Sequence, residues 1–410
     1  MFGEDIPSFK YPHLVKHIFF DGPIPSDYFF SMLLPLLNLN RLDMHLSALC
    51  CLEEAKLNNM QLRQLDTINI WGHKLTQGMF TSTYSAAKII TNLYKFLGNY
   101  FPQLKNFAVE FPYDAHQEIQ MSKVVLNFLS MHKNTLEKFK IEINLFTGAE
   151  TSNTFETVEE RELSDEAKKV SKSLKLKSLE LIISSLFQLR LFKIWTSFGE
   201  QQTALASFTG LSFRFQPEIL IHLCARNSHA LTHVWISRIM LVDNGRLTVI
   251  HCNIFEGCHN LKSLLLEAMP LNLDQPSLIS CGDFPKRIEH LELGGLTITS
   301  EDIFKITQML PMLKELNISD AGSTSTFGLR TEHVQKLVQD RKIAQITLYD
   351  SINGPIPADG FPNGNPEHPK NLKVYSFGAF EVKLDEFGYY ENLARDEWRP
   401  FVDDEDDDEM

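Results

Sequence analysis

Two histidines and two cysteines crowd one short stretch of the chain: His251, Cys252, Cys258 and His259. Thiolates and imidazoles are the usual ligands of zinc, which would make this a metal site. The C-x5-C spacing is not one of the common structural zinc spacings, and no second ligand pair follows it. Cys50 and Cys51 are adjacent, so they point to different faces of any regular element and cannot chelate together. His13 and His17 have i,i+4 spacing, but they fall in a segment that reads as a strand, where they would lie about 13 Å apart. No metal is expected on these grounds. The chain has no G-x-x-x-x-G-K-[ST] phosphate loop, no G-x-G-x-x-G fingerprint and no G-x-S-x-G nucleophile elbow. No carboxylate pair has a spacing that identifies a general acid and base. The expectation is no catalytic residues, no cofactor and no enzyme.

What recurs instead is a short apolar pattern, Leu-x-x-Leu-x-Leu. The clearest copies are Leu261/Leu264/Leu266, Ile288/Leu291/Leu293, Leu313/Leu316/Ile318 and Ile343/Ile346/Leu348, with first members 27, 25 and 30 residues apart. Side chains alternate faces along a strand, so the last two members of each triplet point one way and the residues around them point the other. Parallel pairing of such strands needs a crossover after each one. Ser300–Leu310 supplies one, with Ile303, Ile306, Met309 and Leu310 on a single helical stripe, and Thr331–Val338 repeats the arrangement. A period of this length with one strand per copy is the signature of a leucine-rich-repeat solenoid. The expected fold is α/β: a curved parallel sheet on the concave face, helices on the convex face, and about twelve irregular repeats over residues 1–401.

The same frame reads Leu39/Leu42/Met44, Leu65/Ile68/Ile70, Leu104/Phe107/Val109 and Leu136/Phe139/Ile141. Beyond these it reads Leu189/Phe192/Ile194, Phe208/Leu211/Phe213, Leu231/Val234/Ile236 and Leu372/Tyr375/Phe377. Helical partners fall at Tyr84–Leu97, Glu118–Met131 and Pro217–Ala225, and Leu14–Phe20 reads as a first, irregular strand. Residues 147–166 are polar and acidic and read as a solvated loop or insertion. Leu174–Ile183 reads either as a strand, Leu176/Leu179/Leu181, or as the end of a helix begun near Ser164. The helix is favoured, because a strand at Leu189 would otherwise follow too soon. Residues 351–370 are rich in Gly, Pro and Asn and read as a loop. Residues 372–401 read as a closing segment, and 402–410 as a disordered acidic tail.

Residues 250–345 resemble the repeats of F-box/leucine-rich-repeat proteins. Glu256-Gly-Cys-His-Asn-Leu-Lys-Ser-Leu-Leu-Leu266 is similar to their cysteine-containing repeat, with His259 in place of Pro. Thr297–Phe304 resembles the step into the next helix, and Leu310–Ile318 matches the same junction with Leu310 in the Cys place. The resemblance implies that the repeats recruit a substrate and that Cys258 packs in the core. It also implies an F-box that docks on the adaptor of a cullin-RING ubiquitin ligase. No F-box is found here. Pro25–Leu34 is only faintly similar to its opening helix, and a repeat frame follows at once, so the chain is expected to start inside a repeat. A ligase adaptor is a partner only if an F-box lies upstream.

The outward strand positions would line the concave face. Trp71, Trp195, Trp235 and Tyr349 fall there in this frame, with Lys138, Lys140, Lys193 and Arg214 beside them. Large aromatics on an exposed curved face dominate binding energy at protein interfaces. Acids follow at Glu267, Glu292 and Glu315. The formal charge of −13 argues against nucleic acid and anionic membrane as partners. Seven acids in a row, Asp403–Glu409, carry about half of it. Six unclustered cysteines and no basic-then-apolar leader point to the cytoplasm or nucleus. The function expected is a protein-binding module, most like substrate recognition in the resembled family. The rivals are a free-standing scaffold or inhibitor and an acidic nuclear, histone-binding chaperone.

Overall fold

Inward-facing apolar residues organise the chain. A strand that buries two side chains on one face is stable only beside another that does the same in register. The computed structural model describes residues 10–50, 52–53, 57, 62–72, 86–111, 118–143, 157–183, 189–212, 217–239, 242–243, 246–247, 250–251, 255, 257–268, 279–280, 285–294, 300–319, 343, 345–349 and 372–375. Thirteen strands form one sheet whose neighbours follow strictly in chain order, every pair parallel. The first eight are β1 (His17–Phe20), β2 (Arg41–His45), β3 (Thr67–Trp71), β4 (Asn106–Phe111), β5 (Lys138–Ile143), β6 (Ser178–Ile183), β7 (Ser207–Ser212) and β8 (His233–Ile239). Short strands β9 (Val242–Asp243), β10 (Arg246–Leu247) and β11 (Ile250–His251) then leave the sheet. It resumes with β12 (Ser263–Ala268), β14 (His290–Gly294), β15 (Glu315–Ser319), β16 (Gln345–Tyr349) and β17 (Leu372–Tyr375); β13 (Ile279–Ser280) pairs with β11.

Among the described residues, the β2–β3 crossover holds a 3-10 turn (Leu46–Leu49), those after β8 and β12 hold the short strands, and seven others hold α-helices. The helices are α1 (Ser26–Leu33), α2 (Ala86–Leu97), α3 (Glu118–Met131), α4 (Val158–Ser173), α5 (Leu189–Gly199), α6 (Pro217–Asn227) and α7 (Ser300–Met309). Their apolar stripes meet the inward strand residues in one continuous core that includes Phe29, Phe96, Phe128 and Phe198. The result is a solenoid-like α/β arrangement with helices against one face of the sheet. No helix among the described residues is long and apolar enough to cross a membrane.

Register is zero-shift from strand to strand, apart from a shift at the end of the β8–β12 pair, where Ala268 meets Ile239. One ladder runs Ile18, Leu42, Ile68, Phe107, Phe139, Leu179, Phe208, Val234, Leu264, Leu291, Leu316 and Ile346. All of these side chains are buried. From β1 to β14, a single backbone carbonyl just before the strand accepts two successive N–H groups of the next unit in the sheet. Lys16 O takes those of Asn40 and Arg41, Asp66 O those of Lys105 and Asn106, and Lys262 O those of Glu289 and His290. These shared carbonyls satisfy backbone groups where the ladder begins.

Four frame readings are corrected. Leu189/Phe192/Ile194 is not a strand: it opens α5. A spacing of three residues also occurs on a helix face, and here the apolar run is helical. Leu174–Ile183 is not the end of a helix. Helix α4 stops at Ser173, and β6 follows in the frame Leu176/Leu179/Leu181. The third position in β7 is Gly210, which faces Leu181 and Ile236, so the frame is Leu205/Phe208/Gly210. Leu211 and Phe213 shift the sequence reading by three. The last strand is shifted likewise, since Leu372 and Val374 pair with Ile346 and Leu348. The stretch 147–166 is not wholly a loop either. From Val158 it is helix, started by a capping box in which Thr157 and Glu160 exchange hydrogen bonds of 3.2 and 2.8 Å. Thr331–Val338, residues 351–370, most of 372–401 and the acidic tail lie outside the described residues.

Helix ends bury polar backbone groups, and a polar side chain at several junctions answers them. Asn227 Oδ1 accepts from Leu205 N–H at 2.8 Å, while its Nδ2 donates to Gln202 O and Leu223 O. Gln202 bridges Leu176 N–H and Ser171 O in the same way. Asn99 Nδ2 donates to Leu57 O at 2.8 Å. Cys258 packs in the core with its thiol 3.8 Å from Cys224 O. His132 accepts Phe101 N–H at Nε2 (3.0 Å), so its proton sits on Nδ1, 2.9 Å from Phe128 O. Burial holds this imidazole below its ordinary pKa, against the opposing pull of the Phe128 carbonyl. Its folded value lies below its unfolded one, about 6.5. The contribution to stability is therefore complete above about pH 6.5 and is lost as pH falls through the lowered folded value. Urea midpoints taken from pH 7.5 to 5 should fall more steeply for wild type than for His132→Gln, which can keep both hydrogen bonds without titrating. Parallel slopes would contradict this role.

Candidate functional site

The helix-free face of the sheet carries the outward side chains, and two places on it are built rather than merely solvated. The first spans β1 to β3. Phe19 on β1 and Trp71 on β3 stack over β2, ring centroids 4.8 Å apart and planes 25° apart. Beneath them Asp43 is buried. Its carboxylate accepts from Arg41 Nε at 2.9 and 3.0 Å and from Asn69 Nδ2 at 2.7 Å, and pairs with His17 Nε2 at 2.8 Å. The Arg41 guanidinium is held above its ordinary pKa, chiefly by its hydrogen bond to Asp43. A carboxylate so fully engaged is a poor general base; what it does is fix Arg41 and His17 in place. His45, also buried, bonds Ser47 Oγ at 2.6 Å and meets the edge of Trp71.

The second place is a shallow groove of about 410 Å³ across β7, β8, β12, β14 and β15. Trp235, 43% exposed, stands in its floor beside the nearly buried Leu265. Serines, histidines and acids surround them: Ser207, Ser263, His233, His290, Glu292 and Glu315. His290 Nδ1 lies 3.0 Å from Glu315 Oε2, and Asn317 Nδ2 lies 3.5 Å from Glu292 Oε2. Glu267, on the adjoining outward position, accepts the Ser237 hydroxyl. Between the two places, Lys140 pairs with Glu142 at 3.0 Å and Lys138 is exposed.

Four of the eight expected binding residues therefore lie on this face: Trp71, Trp235, Lys138 and Lys140. Tyr349 is at an outward register position of β16, opposite Ser319 and Tyr375. Arg214 lies outside the described residues. Trp195 and Lys193 are misassigned. Both belong to α5, in the opposite layer. Trp195 is fully buried, 5.7 Å from the rings of Phe139 and Phe198, and Lys193 is exposed on the helix. The cause is the strand reading of Leu189–Ile194. His13 is in a short 3-10 turn, not a strand, while His17 begins β1. Cys258 is buried and His259 exposed, so the two turn apart; Cys252 is outside the described residues. Among the described residues, no three His, Cys, Asp or Glu side chains converge as metal ligands.

Phe19, Asp43, His45 and Leu265 were missed. Phe19 and Leu265 had a signal, an apolar residue between two inward positions. Asp43 and His45 had none, because a polar residue at an outward position reads as solvated. No family model matches the chain, and no curated protein matches it significantly.

The two tryptophans make a controlled comparison. Trp195→Ala empties a core site and should cost about 3–5 kcal/mol. Trp235→Ala should cost clearly less, since 43% of the residue is already exposed. Chemical denaturation of both variants measures the difference, and equal losses would place Trp235 in a core as well.

Proposed function

We propose that this chain is a leucine-rich-repeat protein of the cytoplasm or nucleus that holds a protein partner on the open face of its sheet. One observation carries the reading. The outward positions of an uninterrupted parallel sheet hold partly exposed aromatic rings at two separated places, Phe19 with Trp71 and Trp235. Rings fixed on rigid strands lose little freedom on binding, so they contribute more than flexible side chains of similar area. The proposal gives the chain no chemistry of its own.

The role most in keeping with the resemblance is substrate recognition, similar to that of F-box/leucine-rich-repeat subunits of cullin-RING ligases. The buried Cys258 at the turn into β12 fits that family's cysteine repeat. A free-standing scaffold is the second reading, and a specific observation favours it. The Pro25–Leu34 segment, faintly similar to an F-box opening, forms α1, whose Phe29, Phe30 and Leu33 lie in the core between β1 and β2. It serves as a crossover.

Affinity purification of the tagged chain with quantitative mass spectrometry separates the readings. A ligase adaptor and a cullin in the eluate support recognition for ubiquitination, and a single stoichiometric partner supports the scaffold. Trp71→Ala combined with Trp235→Ala should lower capture of that partner about tenfold or more, while the melting temperature stays near wild type. Undiminished capture by the double variant would overturn the binding-face proposal.

A further inference from the structure

The groove around Trp235 has a polarity of its own. Among its lining residues are two glutamates and no lysine or arginine; one of the two, Glu315, meets His290 Nδ1 at 3.0 Å. A third carboxylate, Glu267, stands next to it on β12. The nearest strand-entry lysines, Lys262 and Lys314, both reach Glu289 on the turn side. Glu289 is held below its ordinary pKa, chiefly by its hydrogen bond from Lys314, so these two lysines are engaged away from the groove.

Carboxylates beside an apolar floor favour a cation brought from outside. Asn317 lies on the same wall as Glu292, its Nδ2 3.5 Å from Glu292 Oε2. Trp235 offers a ring face at the same place, which attracts an ammonium or guanidinium as well as an apolar chain. The volume, about 410 Å³, is at the small end of ligand sites and suits one or two side chains, not a folded domain.

We infer that this groove takes a basic segment of the partner: a peptide in which a bulky apolar side chain stands beside a lysine or arginine. The apolar group covers Trp235 and Leu265, and the cation meets Glu292 and Glu315. An acidic segment would bring like charges together, and a purely apolar one would strip water from the glutamates without replacing it. The inference rests on the protein-binding reading and narrows it to one place and one chemistry.

A random peptide display library, selected on the immobilised full chain, is the probe. Enriched peptides should share an apolar residue next to Lys or Arg. Their affinity should fall about tenfold or more for Trp235→Ala. Glu292→Gln with Glu315→Gln should weaken binding and flatten its dependence on salt, while Trp71→Ala leaves it unchanged. Thermal melts of all variants confirm that the fold persists. Enrichment of acidic or uncharged peptides overturns the inference, as does equal affinity for Trp235→Ala. Peptides that instead depend on Trp71 sink the groove and leave the binding face standing. No enrichment over bare beads also sinks the groove as a peptide site, whereas loss of the general reading needs the intact partner to ignore both tryptophans.

Discussion

Zero-shift stacking of parallel strands is the constraint from which the rest follows. Each inward residue lies beside its counterpart in the next strand, and the shared carbonyl at each strand entry from β1 to β14 fixes where pairing starts. A slip of one residue would send every inward side chain outward. Register therefore decides two things at once: which residues form the core, and which are left to meet a partner. Trp71 and Trp235 are on the open face because Ile70 and Val234 are committed to the core.

Buried polar junctions let this stacking close without orphaned backbone groups. Asn99, Gln202 and Asn227 sit at or just after the end of a helix and reach back to the preceding unit. A net hydrogen bond contributes only about 1 kcal/mol, but an unmet buried donor costs about 1–3 kcal/mol. Their worth lies in the second number. They also stiffen the helix ends against the sheet, so that the opposite face keeps its shape. The Asp43 cluster plays a comparable part on that face, holding Arg41 and His17 in place near the Phe19–Trp71 stack.

Where the inward ladder is fully apolar, the sequence was readable. Leu261/Leu264/Leu266 and its three successors fall where the spacing placed them, because few other patterns bury two residues of five. It failed where a ladder position is not bulky or where a helix shows the same spacing. Gly210 sits at the third position of its triplet, so Leu211 and Phe213 drew the frame away. Leu189, Phe192 and Ile194 imitated a strand from inside α5, and that one error displaced β6 and put Trp195 on the wrong layer. The capping box at Thr157 and Glu160 was visible and would have marked the start of α4. The site was less legible than the fold. Outward residues have no ladder to obey, and Asp43 is engaged by His17 and Asn69 from two other strands, which no local pattern reveals.

Photo-crosslinking tests the central claim most directly. A photoreactive amino acid placed at Thr209, Ser263 or Glu180 reports from outward strand positions, and one at Lys193 reports from the helical layer. The account predicts partner adducts from the strand positions and none from position 193. Adducts confined to position 193, with the strand positions silent, would contradict it.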